Sequence, residues 1–214
     1  MADTDTAGGA HTATAHSTGL FAWLTVARQQ LKRVAYEGIG RDRWQYPDRV
    51  IEALALPPGA HVADLGSGAG YFTFRLARAV GPGGVVYAVD ADDDLRNFIV
   101  DRARDGRFDN VRVVRATADD ALLPHASVDL VFTCNAYHHL AQRVSYFTKL
   151  RTSLRPGGRV AIMDAKRIGW FHKWFGHWTA SDVIRSEMEA AGYRLQDEFA
   201  FLPRQHFLVF TAAP

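Results

Sequence analysis

The chain of 214 residues has one cysteine, Cys134, which excludes an internal disulfide and any metal centre built on several thiolates. It has no apolar run long enough to span a bilayer as a helix. A marked excess of charge is also missing: 25 Lys and Arg face 23 Asp and Glu, a formal net charge of +2. That balance gives no global attraction to nucleic acid, although it leaves room for a local basic patch. The makings of a secretory leader are absent too. Asp3 and Asp5 stand early, no Lys or Arg precedes them, and no apolar stretch begins before Leu20. These absences point to a soluble, reducing compartment, and the expected location is the cytoplasm. After Met1, residues 2–19 lack any aromatic or large apolar side chain, so nothing there offsets the entropy of ordering. That stretch reads as a disordered tail. His11 and His16 within it are more simply solvated than metal-bound, and no metal site is expected.

What is present is an ordinary globular composition, 48% hydrophobic, 22% charged and 12% aromatic, in a length that suits one substantial core. Leu20, Leu24, Ala27, Leu31 and Val34 recur at helical steps, with Arg28, Lys32 and Arg33 toward the favourable end of the dipole. Gly38 and Gly40 stop that helix, and Pro47 to about Leu56 predicts a second, ended by Pro57-Pro58-Gly59.

Beyond residue 60, strands and helices alternate. Strands are predicted at Val62–Leu65, Val85–Val89, Val111–Val114, Val128–Cys134 and Arg159–Met163, with helices over 71–80, 92–104 and 137–154. The last of these shows apolar steps at Leu140, Val144, Phe147 and Leu150. Such alternation implies a mostly parallel sheet covered on both faces. After a helix over 181–191, two strands at Tyr193–Phe201 and His206–Thr211 stand so close that they must pair antiparallel.

The most informative segment is Val62-Ala63-Asp64-Leu65-Gly66-Ser67-Gly68-Ala69-Gly70-Tyr71-Phe72. A buried strand ends in a glycine turn that opens a helix, so a ligand can approach the backbone and meet free N–H donors. A dinucleotide fingerprint requires glycine at relative positions 1, 3 and 6. Here the glycines hold positions 1, 3 and 5, and Tyr71 occupies the sixth. Asp64, on the strand tip, suits a cation such as an amino-acid ammonium better than a pyrophosphate. The next strand ends in Asp90, followed by Ala91, where a carboxylate can accept both hydroxyls of a ribose. Alone, Asp90 reads equally as a helix cap; beside the glycine loop the ribose reading is preferred.

These residues resemble the class I S-adenosylmethionine-dependent methyltransferases, and the likeness covers roughly residues 44–214. The family's glycine motif corresponds to Asp64 through Gly70 (with Gly66, Ser67, Gly68 and Gly70 toward the cofactor), and its ribose acid to Asp90. Its segment after the third strand is similar to Ala116-Thr117-Ala118-Asp119-Asp120, and its post-helix turn to Leu154-Arg155-Pro156-Gly157-Gly158-Arg159. The resemblance implies a Rossmann-like, doubly wound α/β fold with seven strands ordered 3-2-1-4-5-7-6, strand 7 being antiparallel. It implies S-adenosylmethionine as cofactor and methyl transfer by in-line displacement. The chain then divides into a tail over 1–19, an N-terminal helical lid over 20–58 and the methyltransferase domain over 59–214. Within that family the chain resembles the small-molecule enzymes similar to quinone-biosynthesis C-methyltransferases and arsenite methyltransferases. Many relatives place an acid where Thr117 stands; Thr117 or Asp119 is expected to take its place at the adenine.

In open α/β sheets, ligands bind beyond the carboxyl ends of the strands. Those ends carry Asp64, Asp90, Cys134-Asn135 and Asp164, and the fourth strand continues into Ala136-Tyr137-His138-His139. Asn135 is expected at the cofactor, and Tyr137 or His138 as the group that orients or deprotonates an acceptor. Relatives that methylate nucleobase or amide nitrogens share an Asn/Asp-Pro-Pro-aromatic motif here, and its prolines are missing. The acceptor is accordingly expected to be a small molecule and not nucleic acid. Trp44, Tyr46, His139, Trp170 and Trp174 are candidates to line its site. The basic aromatic stretch from Lys166 to Trp178 also fits a lid or a weak membrane-surface contact. The chain is expected to act as a monomer or homodimer. Two rival readings remain, an NAD(P)-dependent oxidoreductase and a non-catalytic S-adenosylmethionine-binding regulatory protein.

Overall fold

A computed structural model describes residues 40–167 and 178–213. Two short helices come first, α1 (Asp42–Gln45) and α2 (Pro47–Leu54), separated by Tyr46 in a left-handed conformation. Proline at the first position of α2 starts it, since its missing N–H is one that a helix start cannot pair anyway. The alternating core follows: β1 (His61–Leu65), α3 (Thr73–Val80), β2 (Val85–Asp90), α4 (Asp93–Asp105), β3 (Val111–Arg115) and β4 (Val128–Cys134). Then come α5 (Arg143–Leu150), β5 (Leu154–Ala165), α6 (Ser181–Ala190), β6 (Tyr193–Glu198) and β7 (Gln205–Ala212).

The seven strands form one sheet in the order β3-β2-β1-β4-β5-β7-β6. Parallel pairing runs from β3 through β5, and β7 pairs antiparallel with both β5 and β6. Two apolar layers cover it. Val62, Leu130, Phe132, Met163, Phe207 and Val209 face one layer, with Phe74 and Leu76 of α3 and Ile99 of α4. Ala63, Val131, Val160, Ile162, Leu208 and Phe210 face the other, with Phe147 of α5 and Ile184 and Met188 of α6. A strand buried on both faces must be apolar at successive positions, which explains the unbroken Val, Leu and Phe runs. Helix α4 shows its boundaries plainly. Asp92 accepts from the backbone N–H groups of Asp94 and Leu95 at its start, and Arg102 and Arg104 occupy its last turn.

The long helix predicted over 137–154 is not formed. Tyr137–His139 make a single 3-10 turn, Leu140 is extended, α5 spans only Arg143–Leu150, and Arg151–Ser153 form another 3-10 turn. Asn135 turns the chain through a left-handed conformation (φ 56°), which lets Tyr137 reach the core instead of starting a helix. The apolar phase shifts with it: Tyr146, Phe147 and Leu150 are buried while Val144 is exposed. Strand β5 is longer than expected because Leu154 already pairs with Val128, and a register shift absorbs Pro156-Gly157-Gly158. The predicted helix after Leu20 and the tail before it lie outside the described residues.

Candidate cofactor site at the carboxyl ends of the strands

Strands β1, β2, β4 and β5 end together, and the groups that carry chemistry cluster there. The chain leaves β1 through Gly66, Ser67 and Gly68, and Gly66 and Ser67 both donate backbone N–H bonds to Val89 O of β2 (2.8 and 3.1 Å). Gly66 is left-handed (φ +73°), and a Cβ there would lie 2.3 Å from that of Ala136 in the turn after β4. Only glycine lets the β1 and β4 ends approach so closely. Gly70 is similarly confined, its missing Cβ falling 2.6 Å from the Phe74 ring.

Asp64 closes the bottom of this loop. It is 2% exposed, and its Oδ2 accepts a 2.6 Å bond from Thr73 Oγ1 at the start of α3. Burial raises its pKa to about 7, Asp90 adds to the rise, and Thr73 and Arg41 oppose it. A buried carboxylate with so little solvation favours a cation beside it. Asp90 is half-buried, accepting from Gly68 N–H through Oδ2 (2.8 Å) and from Asp92 N–H through Oδ1 (2.9 Å). A carboxylate has about four lone-pair sites, so two backbone bonds leave capacity for ligand hydroxyls. Helix capping belongs to Asp92 instead, which separates the two roles the sequence left open for Asp90.

The remaining predicted residues are distributed as follows. Ala91, Thr117, Ala118 and Asp119 are exposed beside the β2 and β3 ends. Thr117 Oγ1 donates to Asp119 Oδ1 (2.9 Å), and Asp119 Oδ2 pairs with Lys149 of α5 (2.8 Å). Lys149 holds the Asp119 carboxyl below its usual range. Asn135 accepts through Oδ1 from Gln205 Nε2 (2.8 Å). Tyr71 does not face the loop as a free side chain: its hydroxyl donates to Asp42 of α1, and Arg41 and Arg75 lie 3.9 and 4.1 Å from its ring centroid. It fastens α1 to the start of α3.

Tyr137 departs from its expected catalytic place. Its side chain is fully buried in the second core layer, stacked on Phe147, and its hydroxyl donates to Glu187 Oε2 (2.7 Å), which Arg143 also holds. Burial and the Glu187 carboxylate raise its pKa far beyond neutrality, so it neither loses a proton nor meets an acceptor. His138, its neighbour, has a different partner. Its Nδ1 lies 2.7 Å from Oδ1 of Asp164 on β5. His139 is exposed, its ring 4.2 Å from that of His138. Trp44 is half-buried under Arg204, and Tyr46 is 36% exposed near Arg49. Trp170 and Trp174 lie outside the described residues.

A buried polar chain over the β4 end was not expected from the sequence. Gln45 Nε2 donates to Gln205 Oε1 (2.7 Å) and to Cys134 Sγ (3.1 Å), and Arg41 bonds to Gln45 Oε1. Gln45 and Gln205 are essentially unexposed. The spacing of Arg41 and Gln45 does put both on one helix face, but nothing marked Gln205 as their partner. Desolvation pushes the Cys134 thiol up, which agrees with a small residue packed at a strand end.

Residues 62–158 match the family described as a methyltransferase domain. A ubiquinone/menaquinone biosynthesis C-methyltransferase of Vibrio vulnificus is 29% identical over 115 residues, 53% of this chain and 44% of that one. An arsenite methyltransferase of Halobacterium salinarum is 33% identical over 110 residues, 51% of this chain and 28% of its own. The match thus spans less than half the length of either relative. Among solved structures, a SAM-dependent methyltransferase from Aquifex aeolicus superposes with a TM-score of 0.78 at 21% identity, over 86% of this chain and 98% of that one.

Proposed function

We propose that this chain, whose residues 62–158 match a methyltransferase-domain family, is a class I S-adenosylmethionine-dependent methyltransferase that transfers a methyl group to a small molecule. One observation carries the reading: buried Asp64 and half-buried Asp90 flank a glycine loop at the adjoining ends of β1 and β2. An acid that favours a cation and an acid with spare acceptor capacity suit the ammonium and the ribose of one ligand. The bound cofactor supplies a methyl group already activated on a positively charged sulfur.

The chain's own residues have simpler tasks. Asp64 offers its carboxylate to the ammonium, and Asp90 accepts from the ribose hydroxyls while keeping the loop closed through Gly68. Ala91, Thr117, Ala118 and Asp119 border the adenine. Asn135, with Oδ1 already accepting from Gln205, presents its amide N–H groups toward the ligand. From the segment read as a lid, α1 is fastened by Asp42 to Tyr71 and Arg75, over the start of α3. Trp44 and Tyr46 on that segment are the described candidates to border the acceptor. Alignment and exclusion of water supply much of the acceleration, on the order of 7–11 kcal/mol in favourable intramolecular systems.

A nicotinamide dinucleotide is disfavoured by Tyr71 at the sixth loop position and by Asp64 under the loop. Thermal melting separates the two. A ligand at a hundred times its Kd stabilises the fold by about 2.7 kcal/mol. S-adenosylmethionine is expected to raise Tm by several degrees and NAD to leave it unchanged; the reverse pattern contradicts the proposal.

A further inference from the structure

Two cations stand directly opposite each other where β5 ends and β7 begins. The antiparallel register of these strands ends at Ala165 and Gln205, and the next pair continues it: Lys166 N–H donates to Arg204 O (2.8 Å). Like charges directly opposite on paired strands are destabilising. Neither cation has a carboxylate at ion-pair distance among the described residues. Lys166 Nζ donates to a backbone carbonyl, that of Leu202 (2.9 Å), and two of its three N–H groups remain. The exposed Arg204 guanidinium lies 5.3 Å from the ring centroid of Trp44 and bonds to no described residue.

The acids of this corner are engaged elsewhere. Asp164 lies against His138 (2.7 Å), Glu198 pairs with Arg185, and Asp182 accepts from Val183 N–H of its own helix (3.0 Å). Residues 166–181, which connect β5 to α6, contain no Asp or Glu, so that connection supplies no counter-ion. The corner adjoins the proposed cofactor site through a run of contacts. Gln205, next to Arg204, donates to Asn135 Oδ1 at the β4 end (2.8 Å) and accepts from Gln45 of α1 (2.7 Å). Arg41, bonded to Gln45, lies 3.9 Å from the ring centroid of Tyr71, the residue after Gly70 of the loop.

We propose that Lys166 and Arg204 form a subsite for an oxyanion on the acceptor, so that the methylated small molecule is an acid bearing a carboxylate or a phosphate. The inference rests on the methyl-transfer reading above. An oxyanion between the two cations replaces their repulsion with two attractions. The planar fork of Arg204 meets two of its oxygens at once, and Lys166 adds a point charge. Trp44 beside the guanidinium restricts the fork before the ligand arrives, so less entropy is lost on binding. The oxyanion serves as an anchor, and the atom that receives the methyl group lies elsewhere on the molecule. An uncharged acceptor would leave the opposed cations without a counter-ion.

The test uses the full chain with S-adenosylmethionine and two probes of one shape, naphthalene-2-carboxylate and 2-naphthamide. Calorimetry of the cofactor alone comes first: absence of binding there is a failure of the parent reading, and the probes are then read on the free chain. Fluorescence titration is expected to show the carboxylate bound at least about tenfold more tightly than the amide, with the difference shrinking as salt is raised. Arg204→Gln and Lys166→Gln should each remove most of that difference and leave the cofactor Kd unchanged. Arg112→Gln, on the exposed edge of β3, should leave it intact. Without ligand, Arg204→Gln should melt no lower than wild type, and slightly higher in low salt, because the opposed charges are gone. A Tm well below wild type gives Arg204 a structural role and overturns the subsite. On the cofactor-loaded chain, a nuclear Overhauser contact between the ring protons of the carboxylate probe and the cofactor methyl should place the anchor within the acceptor site. Equal affinity for acid and amide overturns the proposal, as does acid binding that survives both substitutions or lacks the methyl contact. Binding to phosphatidylglycerol vesicles without affinity for the soluble acid overturns it too, and assigns the cations to a membrane surface.

Discussion

Asp64→Asn is expected to make the cofactor-free protein more stable at pH 8 and its cofactor binding weaker. Asp64 is the most costly group in the site, a carboxyl 2% exposed whose pKa rises from 3.8 to about 7 on folding. Its folded state holds the proton more tightly than the unfolded chain does. Folding stability is therefore unaffected below about pH 4, falls as pH climbs toward 7, and loses nothing further above that. The separation between 3.8 and about 7 amounts to roughly 4 kcal/mol, an upper figure for a buried acid. Asparagine does not titrate and can still accept the Thr73 hydroxyl through its own Oδ1. The variant's Tm should match wild type near pH 4 and exceed it at pH 8, by on the order of 10 °C. Affinity for S-adenosylmethionine should drop at least about tenfold at the same pH, because the ammonium loses its charged partner. Equal melting profiles of the two proteins across this range would mean that Asp64 is not held at a cost for ligand binding.

Gly66→Ala is the second substitution with a large expected effect. Two penalties add at this residue. An alanine at φ +73° carries a left-handed cost of about 1–2 kcal/mol. Its Cβ must also displace that of Ala136, 2.3 Å away, and overpacking of this kind costs about 1–3 kcal/mol. A total of about 2–5 kcal/mol should appear as a lower denaturation midpoint and as weaker cofactor binding, since the loop and the β4 turn must separate. Gly157→Ala is the control: φ +78° is similar, but nothing lies within 4 Å of the added carbon, so only the backbone cost remains. Adding Ala136→Gly to Gly66→Ala should restore the difference between the two. If both single variants lose the same stability, contact between the loop and the β4 turn is not what requires glycine there.

The cluster proposed for the cofactor was legible as a cluster in the sequence because its residues are local. Asp64 and the three glycines sit within seven positions, and Asp90 stands at the next strand end. Strand ends in a parallel sheet converge by construction, so position along the chain reports position in space. The alternation announced a mostly parallel sheet, and the strand order implied by the family resemblance agrees with the observed β3-β2-β1-β4-β5-β7-β6. What stayed hidden depends on how distant elements meet. Tyr137 was expected to orient or deprotonate an acceptor, yet the left-handed turn at Asn135 sends it into the core to Glu187 of α6. The Gln45–Gln205 bond joins residues from opposite ends of the chain, and no local periodicity announces such a contact. Likewise, Asp164 was visible as a strand-end acid, but its pairing with His138 joins β5 to the turn after β4, 26 positions away.

The assignment of Asp90, whose two oxygens hold Gly68 and Asp92, to the ribose is the central claim. Calorimetric titration of wild type and Asp90→Ala with S-adenosylmethionine at pH 7.5 tests it in one experiment. Each lost charge-assisted bond is worth about 1.5–3 kcal/mol, so binding should weaken at least about a hundredfold from one site per chain. Affinity unchanged within twofold in Asp90→Ala, with its melting curve intact, would contradict the assignment of this site to the cofactor.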